Sequence, residues 1–119
     1  MAGLMSESDI ADCPVARTAS VIGSKWTALI LRDFLLHEGV RRYQELLESL
    51  VGVAPNTLSE RLKALEAAGV VERRFYERHP PRAEYVLTSL GHDLGPVVLA
   101  MRKFGDKHPE FGKPPAPAK

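Results

Sequence analysis

The stretch Tyr43–Leu87 reads YQELLESLVGVAPNTLSERLKALEAAGVVERRFYERHPPRAEYVL. Its hydrophobic spacing changes twice. Tyr43, Leu46, Leu47 and Leu50 repeat at helical intervals and predict a short helix over 43–50. VGVA at 51–54 breaks that pattern, and Pro55 is well placed at the first position of a second helix, predicted over 55–68 and ended by Gly69. Leu58, Leu62 and Leu65 give this helix an inward stripe. The spacing then falls to two. Val71, Phe75, Tyr85 and Leu87 are the predicted buried positions of two strands, 70–77 and 82–88, joined at Arg78-His79-Pro80-Pro81. Two short helices with a tight turn, followed by a two-stranded ribbon, make a helix-turn-helix with a β-wing.

Outside its leucine stripe, the helix at 55–68 carries Asn56, Thr57, Ser59, Glu60, Arg61 and Lys63. Such a face is either plainly solvated or a surface that meets base edges and phosphates with donors, acceptors and positive charge. The short helix before it and the ribbon after it favour groove reading. The candidate contacts are Asn56, Thr57, Ser59 and Arg61 at base edges or adjacent phosphates, and Lys63 on the backbone. Arg73, Arg74, Arg78, His79 and Arg82 gather on the ribbon, where Glu72, Glu77 and Glu84 dilute their charge. Arg78 and Arg82 are the expected wing contacts, to phosphates and the minor groove. Lys25, near the start of its own helix, is a further phosphate candidate.

Upstream, Cys13-Pro14 opens a helix in which Val15, Ala19 and Ile22 form one stripe, and Gly23 ends it. Ser24 is the expected cap of the helix at 25–37, whose Trp26, Leu29, Ile30, Phe34 and Leu36 are expected to supply most of the core. Val40–Arg42 is expected to add a short strand to the ribbon. Thr88 caps a last helix to about Phe104, which Pro96 should bend or interrupt. Leu90, Leu94, Val97, Val98, Met101 and Phe104 are more apolar groups than a helix on so small a body can bury, which points to a subunit interface.

At 119 residues with 45% apolar and 26% charged residues, the chain suits one globular domain. The expected division is a flexible arm at 1–12, a winged helix-turn-helix unit with its dimerisation helices at 13–108, and a disordered tail at 109–119. The fold class is mainly α with a small β-ribbon (α+β). A net charge of +1 argues against an unspecific nucleic-acid coat but not against a localised reading surface. No apolar run reaches the ~20 residues of a membrane span, and the polar, acidic N-terminus does not resemble a signal peptide, so the cytoplasm is the expected compartment and no membrane partner is expected. The single cysteine excludes an intramolecular disulfide, and His37, His79, His92 and His108 are scattered. No metal, cofactor or catalytic constellation is expected, so the chain does not read as an enzyme. A thiol-dependent enzyme lacks a base near Cys13, and a winged-helix protein-interaction module without DNA binding is the alternative that the near-neutral charge allows.

CPV at Cys13–Val15, IGSKWTALILRDFL at Ile22–Leu35, RRYQELLESLVGVAPNTLSERLKALEAAGVVERRFY at Arg41–Tyr76 and PPRAEYVLTSLG at Pro80–Gly91 together resemble the HxlR-type transcription regulators, a winged-helix family related to the MarR group. The resemblance implies a bacterial homodimer paired through its first and last helices and bound to a pseudo-palindromic operator in double-stranded DNA. It also implies a response to a reactive electrophile, an oxidant or a small molecule, with Cys13 in the place of the sensing thiol of several members. A cysteine at a helix start has its thiolate favoured, whereas Asp12 and Glu7 are expected to push its pKa up. The other reading of Cys13 is a small apolar residue packed at the dimer seam.

Overall fold

A computed structural model describes residues 6–115. Ser6 caps α1 (Glu7–Asp12) through a reciprocal pair: Asp9 N–H donates to Ser6 Oγ at 3.2 Å, and Ser6 N–H donates to an Asp9 carboxylate oxygen at 3.2 Å. A helix therefore occupies part of the segment read from sequence as a flexible arm, while residues 1–5 lie outside the described residues. Cys13 is the N-cap of α2 (Pro14–Ile22), with Pro14 in its first turn. Ser24 caps α3 (Lys25–Leu36) by accepting from Thr27 N–H. Next come β1 (Val40–Arg41), α4 (Tyr43–Ser49) and α5 (Pro55–Ala67).

The wing is β2 (Val71–Arg78) and β3 (Pro81–Leu87). The antiparallel sheet has the order β1-β3-β2, with Val40 opposite Val86 and Val71 opposite Leu87. Pro96 divides the last helix as expected, giving α6 (Ser89–Asp93) and α7 (Gly95–Lys107). Of the tail read as disordered, the described part makes turns at 109–112, and Phe111 stands edge-on to Phe104 at 5.1 Å; residues 116–119 lie outside the described residues.

The core joins Ile30, Leu31 and Phe34 of α3 to Leu46, Leu50, Val53, the Leu58–Leu62–Leu65 stripe of α5, and Val70, Val71 and Leu87 at the base of the wing. Two expected core members fall outside it. Leu36 is 56% exposed, and Leu31 takes its place at 1%. The reason is helical phase: Leu36 lies two residues past Phe34, about half a turn round the helix from the buried face. Phe75 is 58% exposed. It shares a face with Val71 by spacing, but β2 is exposed beyond Val71, and Phe75 is not among the residues packed on the core.

Asp33, 2% exposed, lies among these apolar residues. Ser49 Oγ donates a short hydrogen bond to its Oδ2. Arg41 Nε approaches Oδ1 to 2.6 Å, but neither atom has a hydrogen bond of acceptable geometry, so charge rather than an aligned N–H···O bond holds this pair. The cluster ties α3, β1 and α4 into the platform that supports α5.

Candidate nucleic-acid interface

The turn between α4 and α5 closes because Gly52 takes a φ of +93°, a conformation strained for any residue with a Cβ. Val53 N–H then donates to Leu50 carbonyl at 3.0 Å, and buried Val53 pins the turn to the core. Tyr43 fixes the start of α5: its hydroxyl donates to the Pro55 carbonyl at 3.2 Å and lies 3.5 Å from Ser59 Oγ. Leu58, Leu62 and Leu65, all at or below 1% exposure, hold the opposite face inward.

The sequence-predicted residues of α5 fall into two groups. Asn56 and Lys63 are exposed, as is Glu60 between them. Thr57, Ser59 and Arg61 are half-buried. Ser59 is engaged with Tyr43, and Arg61 Nε is shielded without a hydrogen-bond partner among the described residues, so any reach of Arg61 to DNA comes from its terminal nitrogens. Lys25 is exposed on the first turn of α3, with Nζ 4.8 Å from the Trp26 ring centroid.

On the wing, Arg78 and Arg82 differ. Arg82 Nε is 3.2 Å from Glu77 Oε2, and Arg74 is likewise 3.3 Å from Glu72, whereas no ion pair engages Arg78 among the described residues. A bulge between Phe75 and Glu77 offsets the ladder before the tip. Arg73 stands 5.4 Å from the Phe75 ring, which gives that exposed aromatic a partner. Arg42, the N-cap residue of α4, stands 4.4 Å from the Tyr76 ring. The strand expected over 40–42 ends at Arg41, which leaves Arg42 to cap α4, and no linear signal pairs it with Tyr76.

Cys13 is partly exposed and unbridged. Its pKa is lowered, chiefly by the backbone N–H groups of Ala16 and Val15 at the start of α2; burial opposes this, and Arg17 adds a smaller lowering. The direction is opposite to the upward push expected from Asp12 and Glu7, and the opposing cause is burial. Among the described residues, no group of His, Cys, Asp and Glu is arranged to hold a metal, and no helix is long and apolar enough to cross a membrane.

The model of the HxlR-like helix-turn-helix matches residues 21–112, which takes in α3, the helix-turn-helix, the wing and α7. The chain belongs to the HxlR-like helix-turn-helix family. A helix-turn-helix transcriptional regulator of Synechocystis sp. is 41% identical over 93 residues, covering 78% of this chain and 67% of that protein. YdeP, a helix-turn-helix regulator of Bacillus subtilis, is 36% identical over 103 residues, covering 87% and 79%. The redox regulator HypR in its reduced form superposes with a TM-score of 0.75 at 34% identity, over 82% of this chain and 95% of that one. The reduced transcriptional regulator YodB of B. subtilis gives 0.68 at 33%, over 85% and 98%. The chain is a DNA-binding transcriptional regulator of the HxlR type, and the interaction-module alternative is not favoured.

Proposed function

We propose that this HxlR-type regulator reads a two-fold symmetric operator as a cytoplasmic homodimer, without enzymatic activity of its own, through residues 13–108. Asn56, Thr57, Ser59 and Arg61 meet base edges or adjacent phosphates, and Lys63, Lys25, Arg78 and Arg82 meet the backbone. The observation that carries the reading is the polar face of α5, left open opposite a fully buried leucine stripe. Two copies place their α5 helices in successive major grooves, about 34 Å apart.

Pairing through α2 and α7 is supported by the apolar surface of α7, which buries no residue fully and leaves Leu99, Met101 and Phe104 about half exposed. Hollows of about 520 Å³ against α3 and about 510 Å³ against α2 flank this helix. Cys13, on the same α2, is the proposed thiol sensor for an electrophile or oxidant, supported by its lowered pKa and by the likeness to the redox regulator HypR. Its lack of a second thiol in the chain requires an adduct or a bridge to the other subunit.

The test is titration of the purified chain with DNA flanking its own gene, before and after quinone treatment. Binding of a dimer, released by quinone in the wild type but not in Cys13→Ser, is the expected result. Failure to bind any duplex at ~50 mM salt overturns the DNA-reading proposal. Release that persists in Cys13→Ser overturns the sensor assignment alone.

A further inference from the structure

Two of the four wing arginines are occupied by carboxylates, and Arg78 has no ion pair among the described residues. Arg74 and Arg82 have carboxylate partners within 3.3 Å, and Arg41 is held by Asp33. Arg42 is different. Among the described residues, no carboxylate lies within ion-pair range of its guanidinium, although the Glu45 carboxylate beside it accepts the Arg42 backbone N–H at 2.7 Å. An aromatic ring, Tyr76, holds it instead.

An aromatic face attracts the cation without consuming its in-plane N–H donors, and it restricts a side chain that would otherwise sample many rotamers. The result is an exposed, pre-oriented positive charge with donors to spare. Its place in the fold matters as much. Arg42 precedes Tyr43, the residue that anchors the start of α5, and Tyr76 stands at the bulge just before the wing tip. The cation therefore stands at the junction of the recognition helix and the wing. On duplex DNA, the feature that separates a major groove from the adjacent minor groove is a sugar–phosphate strand.

We infer that Arg42, held by Tyr76, is a DNA phosphate clamp between the recognition helix and the wing. The inference rests on the proposed DNA reading and adds a contact beyond its residues. The clamp is sequence-independent: it fixes how deeply α5 and the wing are seated together, while other side chains read the bases. It also explains the exposure of Tyr76, whose ring serves as the support for a charge and not as part of the core.

The test is fluorescence anisotropy of the full chain with a random-sequence duplex of ~30 bp, across ~50–200 mM salt. Arg42→Ala is expected to reduce the slope of log affinity against log salt by about 0.9 for each protomer bound. The affinity deficit is then expected to shrink roughly threefold per protomer from ~50 to ~200 mM salt. Tyr76→Leu keeps the charge but removes its support, so affinity falls with the slope retained. Tyr76→Phe keeps the ring and stays near wild type. Circular dichroism checks the fold of each variant.

A wild-type slope in Arg42→Ala, alongside a reduced slope in Lys63→Ala, overturns the clamp and leaves the DNA reading standing. No duplex binding by the wild type overturns both.

Discussion

Replacing Asp33 by alanine should destabilise the fold far more than a polar-to-alanine change usually does. The carboxylate is 2% exposed and the Arg41 side chain 12% exposed, with their charged atoms 2.6 Å apart. Removing Asp33 leaves the Arg41 cation nearly buried without its main counter-charge; Glu45 is 3.9 Å away and half exposed. It also strips Ser49 Oγ of its acceptor. Breaking one side of a buried ion pair costs about 3–5 kcal/mol. Because Arg41 retains some access to water, the low end applies, about 3 kcal/mol. For a domain of this size that corresponds to a fall in melting temperature of roughly 12 °C.

The assay is urea unfolding of Asp33→Ala, Arg41→Ala and the double variant, followed by circular dichroism. The double variant removes both charges and should recover part of the loss, so the cycle should show a coupling well above that of a surface pair, which is about 0–1 kcal/mol. A loss below about 1 kcal/mol for Asp33→Ala, or purely additive single changes, would refute the role given to this pair.

Gly91→Ala should also be costly, because a Cβ there meets the Val70 carbonyl oxygen and approaches Leu87 Cδ2 to 2.8 Å. A loss of about 1–3 kcal/mol is expected in thermal melts, with α6 displaced from the wing base. Cys13 should react with iodoacetamide along a pH profile whose midpoint lies below that of an ordinary thiol. Its lowered pKa means that thiolate is already formed as pH rises toward the usual value and is lost only as pH falls through the depressed one. A midpoint at or above that of free cysteine in a parallel titration contradicts the helix-start effect.

Local pattern was enough to locate much of this fold. The leucine stripe of α5 and the proline at its start define the helix almost to the residue, and Pro96 marks the division between α6 and α7. Burial was less legible where it depends on what lies opposite. Phe75 has strand spacing and an apolar side chain, but among the described residues no element covers that part of the ribbon. Leu36 belongs to an apolar run whose phase only the packed helix decides. Asp33 looks like an ordinary polar residue in LRDFL, since its partners Arg41 and Ser49 come from other elements. The same limit hid the Arg42–Tyr76 stack, which joins residues 34 positions apart. At the candidate interface, sequence supplied the polar residues of α5 and the wing arginines, while the structure distinguishes Arg82, paired with Glu77, from Arg78.

The most direct test of the central claim, that the open face of α5 reads bases, is an affinity ratio. Binding to DNA flanking the gene is compared with binding to random duplex at one salt concentration, for the wild type and for Asn56→Ala/Thr57→Ala. The wild type should prefer its own DNA by about 10³ or more, and the variant should lose much of that preference while keeping its affinity for random duplex. A variant with an undiminished ratio, or a wild type with no preference, would contradict the account.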